Sequence, residues 1–188
     1  PLYSDLVGLL VPGLPLMDGS RSDCEWGTDP DAPAPGIFGP NNLPTLERED
    51  WVANMNDSYW LTNPAQPVTG YNAIIGAEGT ERSLRTRQGI LQIQQRLDGT
   101  DGLGEPNLFD LENLKEIVLS GRIYSGDLAR AAVLSNLCPR AGVYDTAAAC
   151  SAIQQWDGTA ALNSVGLPVW KEFWGNLLSP FSNYWITP

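Results

Sequence analysis

The sequence predicts an α-rich fragment with long irregular loops and a few short strands. From residue 81 onward, apolar side chains recur at helical spacing in several segments that have their own start and stop signals. Residues 48–80 contain one short β-prone run, and residues 1–47 show a period of neither 2 nor 3.6. We therefore expect three regions, 1–47, 48–80 and 81–188, that do not form an independent domain.

The first region is apolar and rich in proline and glycine. Residues 2–16 are broken by Gly8, Pro12, Gly13 and Pro15, and residues 27–44 contain five further prolines. Structureless loops longer than ~12–15 residues are uncommon in compact domains, and an uncharged apolar segment is not typical of disorder. We expect residues 1–47 to be extended and ordered by packing on protein that lies outside this chain. Because the sequence opens at Pro1, without an initiator Met, we expect a processed or excised piece.

The second region begins like a strand at Trp51 and Val52 and then becomes polar. Asn54 and Asn56 are two residues apart, so on an extended backbone their carboxamides share one face. A carboxamide NH2 can donate to a carbonyl oxygen that gains negative charge during a reaction. Two other interpretations stay open: a plain strand end with turn residues, and an N-glycosylation sequon at 56–58, which would exclude an oxyanion role for Asn56.

The third region begins with a predicted helix over residues 81–97 that starts between Glu81 and Leu84. Asp98 and Gly99 give its stop signal. Three arginines near its start, Arg82, Arg85 and Arg87, oppose the helix dipole, which favours acids there. They are either solvated or paired with a specific acceptor, and composition favours the solvated surface.

Four more helices follow a glycine-rich loop at 98–109. Asp110 is the predicted N-cap of a helix at 111–119, and the 125–127 segment caps the next helix, whose apolar face extends to Leu137. Residues 145–146 start a helix at 147–156, and Pro168 starts the last one. Most tryptophans fall at core-facing helical positions, which favours packing over sugar stacking.

Composition excludes several classes of function. The net charge of −11 argues against a nucleic-acid partner or an anionic membrane surface. The absence of histidine removes Ser-His and Cys-His dyads and His-ligated metals. No apolar run reaches the ~18 residues that a membrane span needs. Asp101, Glu105 and Asp110 lack the spacing of a calcium loop, which favours a solvated acidic loop.

The three cysteines leave two possibilities open. Cys138 and Cys150 flank a turn-rich connector that could bring them within bonding distance, which would indicate an oxidising compartment and leave Cys24 for a partner elsewhere. Three buried thiols in a cytosolic protein are about equally compatible with the sequence.

Several motifs together resemble the middle of the β-subunit in the penicillin acylase family. The central one is the run NMNDSYWLTNP at 54–64, followed by Gly70-Tyr71 and by SLRTR at 83–87. Segments around 13–26 and 149–157 extend the resemblance over roughly residues 5–175. Within the family, the chain is most similar to acyl-homoserine-lactone acylases and aculeacin-type cyclic-lipopeptide acylases.

The resemblance implies an αββα hydrolase with an N-terminal nucleophile. In that family an N-terminal Ser, whose α-amine is the base, attacks an amide carbonyl, and no catalytic His is needed. By motif position Asn56 is the oxyanion-hole side chain, and Arg85 orients this part of the site, with Arg87 the weaker match. The resemblance also pairs Cys138 with Cys150 and pairs Cys24 upstream. A calcium-ligating Asp of some members falls near Pro67, so we expect no metal, and no cofactor is implied.

The expected partners follow from what this chain lacks. Pro1 has no side-chain nucleophile, so the N-terminal Ser is expected on other acylase segments or subunits. The expected substrate is a small N-acyl compound, and the expected location is extracytoplasmic, either periplasmic or secreted. The rival functions are a non-catalytic exported binding or structural subunit, and a penicillin or cephalosporin acylase.

Overall fold

The computed structural model describes residues 19–140 and 146–177. The chain divides into two compact units, Pro1–Thr80 and Glu81–Pro188, and each is described by itself. The described part of the first unit consists of loops and three single 3-10 turns, at Ser22–Cys24, Pro40–Asn42 and Tyr59–Leu61. The predicted features of residues 1–18, 141–145 and 178–188 lie outside the described residues.

The second unit contains five α-helices within its described residues. They are α1 (Leu84–Asp98), α2 (Leu111–Leu119), α3 (Tyr124–Ala132), α4 (Ala147–Gln155) and α5 (Leu167–Leu177). Local capping explains the start of two of them. The Ser83 hydroxyl accepts from the Thr86 N–H at the start of α1, and Asp110 and Asn113 form a reciprocal capping box at α2. Gly99 ends α1 in the left-handed conformation, as its position predicts.

The prediction of a few short strands is wrong for the described residues, which contain only an isolated antiparallel bridge between Arg122 and Thr159. Trp51 and Val52 do not form a strand, because no second segment supplies a ladder to them. The Trp51 carbonyl instead accepts from the side-chain amide of Asn63, at 2.9 Å. Asn63 is 1% exposed and also accepts from the Ala65 N–H, so a side chain takes the place of a strand partner.

The start of α3 also differs from its prediction. Residues 125–127 lie inside the first turn, and Ile123 occupies the N-cap position without a side-chain cap. The Ser125 hydroxyl instead accepts from the indole N–H of Trp170 in α5. After α3 the chain continues as a π-helical turn, Val133–Leu137, which shifts the apolar register. Val133 lies in the core, whereas Leu137, at the end of the predicted apolar face, is exposed.

Two stacked tryptophans form the centre of the described core. Trp156 and Trp170 are each 1% exposed, and their ring centroids are 5.2 Å apart. Gly126 makes this packing possible, since a Cβ there would lie 2.8 Å from the Trp156 ring. Packing is thus confirmed for these two tryptophans, whereas Trp26 in the first unit is 60% exposed.

A disulfide joins Cys138, in the 3-10 turn Cys138–Arg140, to Cys150 in α4, with 5.7 Å between the Cα atoms. This is the pairing that the family resemblance implies.

The helix α2 is formed as predicted, but its apolar stripe at Leu111, Leu114 and Val118 is exposed in this structure. Cys24 is buried in the first unit.

Candidate active site

The candidate oxyanion residue Asn56 lies on a closed loop of the first unit. The Ala53 N–H donates to the Thr62 carbonyl at 2.9 Å and closes this loop, which we call the Asn56 loop (residues 53–62). Asn56 has a φ of 54°, in the left-handed region that Asn tolerates better than most residues. The Asn54 carboxamide oxygen accepts from the Asn56 N–H at 2.8 Å, which is an Asx turn.

This geometry corrects one expectation about the two carboxamides. They do not share one face of an extended strand, because the left-handed backbone at Asn56 interrupts the extended chain. Asn54 instead uses its side chain to hold the backbone of Asn56. The Asn56 side chain is exposed and makes no hydrogen bond within the described residues, so its NH2 donor is available.

The C-terminal half of the Asn56 loop is held by a single 3-10 turn. The Ser58 hydroxyl accepts from the Trp60 N–H, and the Tyr59 carbonyl accepts from both the N–H and the hydroxyl of Thr62. The Val68 N–H donates to the Trp60 carbonyl at 3.0 Å. The turn that follows Asn56 is therefore tied down at several backbone positions.

The hydroxyl of the half-buried Tyr59 and the Glu78 carboxylate connect this turn to residues 70–78. The Tyr59 hydroxyl donates to the Glu78 carboxylate, which also accepts from the N–H groups of Gly70 and Tyr71. The hydrogen bond from Tyr59, followed by those from the two backbone groups, lowers the pKa of Glu78. Burial, with Glu78 nearby, raises the pKa of Tyr59 to about 12, so Tyr59 keeps its proton and acts as the donor.

Sequence reasoning did not find Tyr59 or Glu78. The two residues are 19 positions apart, and neither lies in a periodic pattern that would bring them together. Gly76 was missed for the same reason. A Cβ at Gly76 would lie 2.8 Å from the Ser58 hydroxyl and 3.2 Å from the Tyr59 ring, so a larger residue there would displace these side chains.

The three arginines near the start of α1 have different environments, and the solvated interpretation does not hold for all of them. Arg82 is buried, at 8% exposure. Arg87 pairs with Glu81 at 3.3 Å and lies over the Tyr124 ring. Arg85, in the first turn of α1, is exposed, and its side chain makes no ion pair or hydrogen bond within the described part of the chain. Asn56 and Arg85 belong to different units.

The acidic loop holds no candidate cation site. The Asp101 carboxylate pairs with the buried Arg96 guanidinium at 3.2 Å, and Asp110 caps α2. Across residues 19–140 and 146–177, no cluster of three or more carboxylate or thiol side chains could hold a metal ion. In the same ranges, no helix is long and apolar enough to cross a membrane.

In hydrolases, an exposed amide donor on a well-anchored loop can hydrogen-bond to the oxyanion that develops during the reaction.

Comparison with known proteins gives this chain its family. Residues 6–186 match the family model described as penicillin amidase. The chain therefore belongs to the penicillin amidase family.

The curated relatives include aculeacin-A acylase of Actinoplanes utahensis, 43% identical over 181 residues, which cover 92% of this chain and 22% of that protein. They also include acyl-homoserine lactone acylase PvdQ of Pseudomonas putida, 38% identical over 80% of this chain and 18% of that protein. PvdQ of Pseudomonas fluorescens is 36% identical over 81% of this chain and 19% of its own length. The chain thus spans about a fifth of the length of these relatives.

Proposed function

We propose that this chain is part of an acylase that hydrolyses the amide of N-acyl compounds, such as N-acyl-homoserine lactones or lipopeptides. Its contribution is the oxyanion-binding side chain of Asn56, with Arg85 orienting this part of the site. The observation that carries the proposal is the exposed Asn56 carboxamide, which makes no hydrogen bond in the described structure and lies on a loop that is fixed at its base. The family membership and the acylase names of the relatives support the reaction class.

In this proposal the nucleophile is an N-terminal Ser on acylase sequence outside this chain, in an αββα hydrolase fold. Its hydroxyl oxygen adds to the amide carbon, its α-amine takes the proton, and negative charge develops on the carbonyl oxygen. The Asn56 NH2 donates to that oxygen. The C–N bond then breaks, the amine leaves with the proton, and water releases the fatty acid from the acyl-enzyme. No cofactor takes part.

The left-handed backbone at Asn56 allows a sharp test. Asn56→Gly removes the donor and accepts a φ of 54° without strain, and Asn56→Asp keeps the shape but replaces the NH2 with an oxygen. In the assembled enzyme we expect both variants to lower kcat by ~10²–10³, about 2.7–4 kcal/mol, as for other oxyanion donors. KM should change little, because the interaction forms in the transition state.

Asn41→Ala is the matched control, since Asn41 is an exposed carboxamide in the same unit. The control should keep normal turnover and thermal stability. Turnover by Asn56→Gly within about threefold of the parent enzyme would reject the catalytic role and favour a structural subunit. The choice between lactone, lipopeptide and penicillin substrates is then made by comparing kcat/KM values on the three classes.

A second candidate function rests on Trp26. This exposed indole lines an open groove of about 610 Å³ together with Asn42 and the Asp29 carboxylate, which is an arrangement suited to stacking on a sugar. A non-catalytic glycan-binding module would bind oligosaccharides through this groove. Titration calorimetry against a panel of oligosaccharides tests it: binding that disappears in Trp26→Ala would support the module, and no binding would reject it.

We also propose an extracytoplasmic location for the assembled enzyme. The Cys138–Cys150 disulfide supports it, because such bonds persist mainly in oxidising compartments. Fractionation of the native host followed by immunodetection tests this, and recovery of the protein only in the cytoplasm would reject it.

A further inference from the structure

We propose that Tyr59 and Glu78 are positioning residues that hold the Asn56 carboxamide at the scissile carbonyl. This inference rests on the proposed function of Asn56 and adds two residues that the family resemblance did not assign. Neither side chain is proposed to touch the substrate. Their effect passes through the backbone of the Asn56 loop.

The backbone at Tyr59 controls the position of Asn56. Two residues, Asp57 and Ser58, lie between them along the chain. The Asp57 carboxylate accepts from the Ser58 N–H, and the Ser58 hydroxyl accepts from the Trp60 N–H. The Tyr59 carbonyl accepts two hydrogen bonds from Thr62, and the Thr62 carbonyl closes the loop at Ala53. A shift of Tyr59 would therefore move the turn that follows Asn56 and the closing hydrogen bond together.

Tyr59 is held from outside the loop by residues 70–78. Its hydroxyl donates to Glu78, and the same carboxylate accepts from the Gly70 and Tyr71 N–H groups, so one anion joins the Asn56 loop to a second loop. Hydrogen bonds to a charged carboxylate are stronger than neutral ones. A Gln at this position has one acceptor oxygen and cannot satisfy all three donors.

Packing supports the same link. The Tyr71 ring meets the Tyr59 ring edge-on, with centroids 5.5 Å apart. Gly76 lies against Ser58 and Tyr59 so closely that a Cβ would overlap the Ser58 hydroxyl. The second loop thus contacts the hydroxyl and the ring of Tyr59 and the side chain of the neighbouring Ser58.

The test is a double-mutant cycle in the assembled enzyme, using Tyr59→Phe, Glu78→Gln and Asn56→Gly. Misplacing a catalytic group by about 1 Å can cost ~10² in rate, so we expect each positioning variant to lower kcat by ~10–100-fold with KM nearly unchanged. In an Asn56→Gly background the same substitutions should have almost no further effect on kcat, because no donor remains to be positioned. Glu47→Gln, at an exposed carboxylate of the same unit, is the control and should behave like the parent enzyme.

The outcomes separate the two proposals. If Asn56→Gly lowers kcat but Tyr59→Phe does not, the positioning role is rejected and the role of Asn56 stands. If the losses from Tyr59→Phe and Asn56→Gly multiply in the double variant, Tyr59 acts independently of Asn56 and the inference is also rejected. If Asn56→Gly is fully active, the proposed function itself fails. Should Glu78→Gln not yield folded enzyme, Tyr59→Phe keeps the ring packing and gives the same readout.

Discussion

The indole N–H of Trp170 donates a hydrogen bond to the hydroxyl of Ser125, with 2.9 Å between nitrogen and oxygen. Both side chains are buried, and the bond joins α5 to the first turn of α3 across 45 residues of sequence. Trp170 also stacks on Trp156, so this polar contact lies beside the centre of the described core.

Removing this hydroxyl should destabilise the protein. Ser125→Ala leaves the Trp170 N–H buried without its acceptor, which costs ~1–3 kcal/mol of the free energy of unfolding. Ser135→Ala, at an exposed serine, should cost less than about 0.5 kcal/mol. Denaturant unfolding measures both. Equal effects from the two variants would contradict the assignment of Ser125 to the core.

The Arg96 guanidinium should be required for the order of the loop that follows α1. It is fully buried, pairs with Asp101, and donates to the carbonyls of Leu103, Gly104 and Glu105. Arg96→Leu leaves the Asp101 carboxylate without its cation, and we expect a loss of ~3–5 kcal/mol in unfolding free energy.

Limited proteolysis checks the local effect of Arg96→Leu, because cleavage within 99–107 should become faster than elsewhere. Lys115→Ala is the control, since its ion pair with Glu112 is on the surface and is worth ~0–1 kcal/mol. A loop that stays resistant in Arg96→Leu would show that other contacts hold it.

Arg85 should matter for turnover more than its exposed position suggests. Arg85→Ala is expected to lower kcat/KM by about tenfold or more, because the side chain is proposed to orient part of the site. Arg85→Lys should recover only part of the loss, since Lys keeps the charge but lacks the planar fork of donors. Gln94→Ala, at an exposed position of the same helix, is the control. If Arg85→Ala kept the kcat/KM of the parent enzyme, the orienting role of Arg85 would be rejected.

The Tyr59–Glu78 contact should stabilise the protein only within a defined pH range. The folded pKa of Glu78 lies below its ordinary value of 4.5, so its contribution is complete above that pH and is lost as pH falls through the folded pKa. The pKa of Tyr59 rises from 10.0 to about 12, so its contribution is complete below pH 10 and is lost as pH rises through 12. Tyr71 is the other titratable group that faces the pair.

We therefore expect the difference in unfolding free energy between the parent protein and Glu78→Gln to be constant from about pH 5 to pH 9. The difference should shrink outside that range on both sides. Urea unfolding at a series of pH values measures it, with Glu47→Gln as the control. If the difference in unfolding free energy instead grew as the pH fell, the prediction would be wrong, because a carboxylate with a lowered pKa loses its stabilising contribution on acidification.

The sequence by itself determined the helical segments that have local end signals. Gly99, Asp110 and Pro168 act on backbone groups within a few residues of themselves, so their effect can be read from neighbouring positions. The sequence motif also led to the family, because a long run of residues at 54–64 is specific even without coordinates.

Only the tertiary structure decided how the Asn56 loop is held. Trp51 and Val52 have β propensity, but a strand needs a ladder, and Asn63 supplies the Trp51 carbonyl with a side-chain donor instead. Ser125 looks like a cap in sequence, yet its hydroxyl is taken by Trp170. Tyr59 and Glu78 meet across 19 residues, and such contacts depend on the path of the chain between them, which no local pattern encodes.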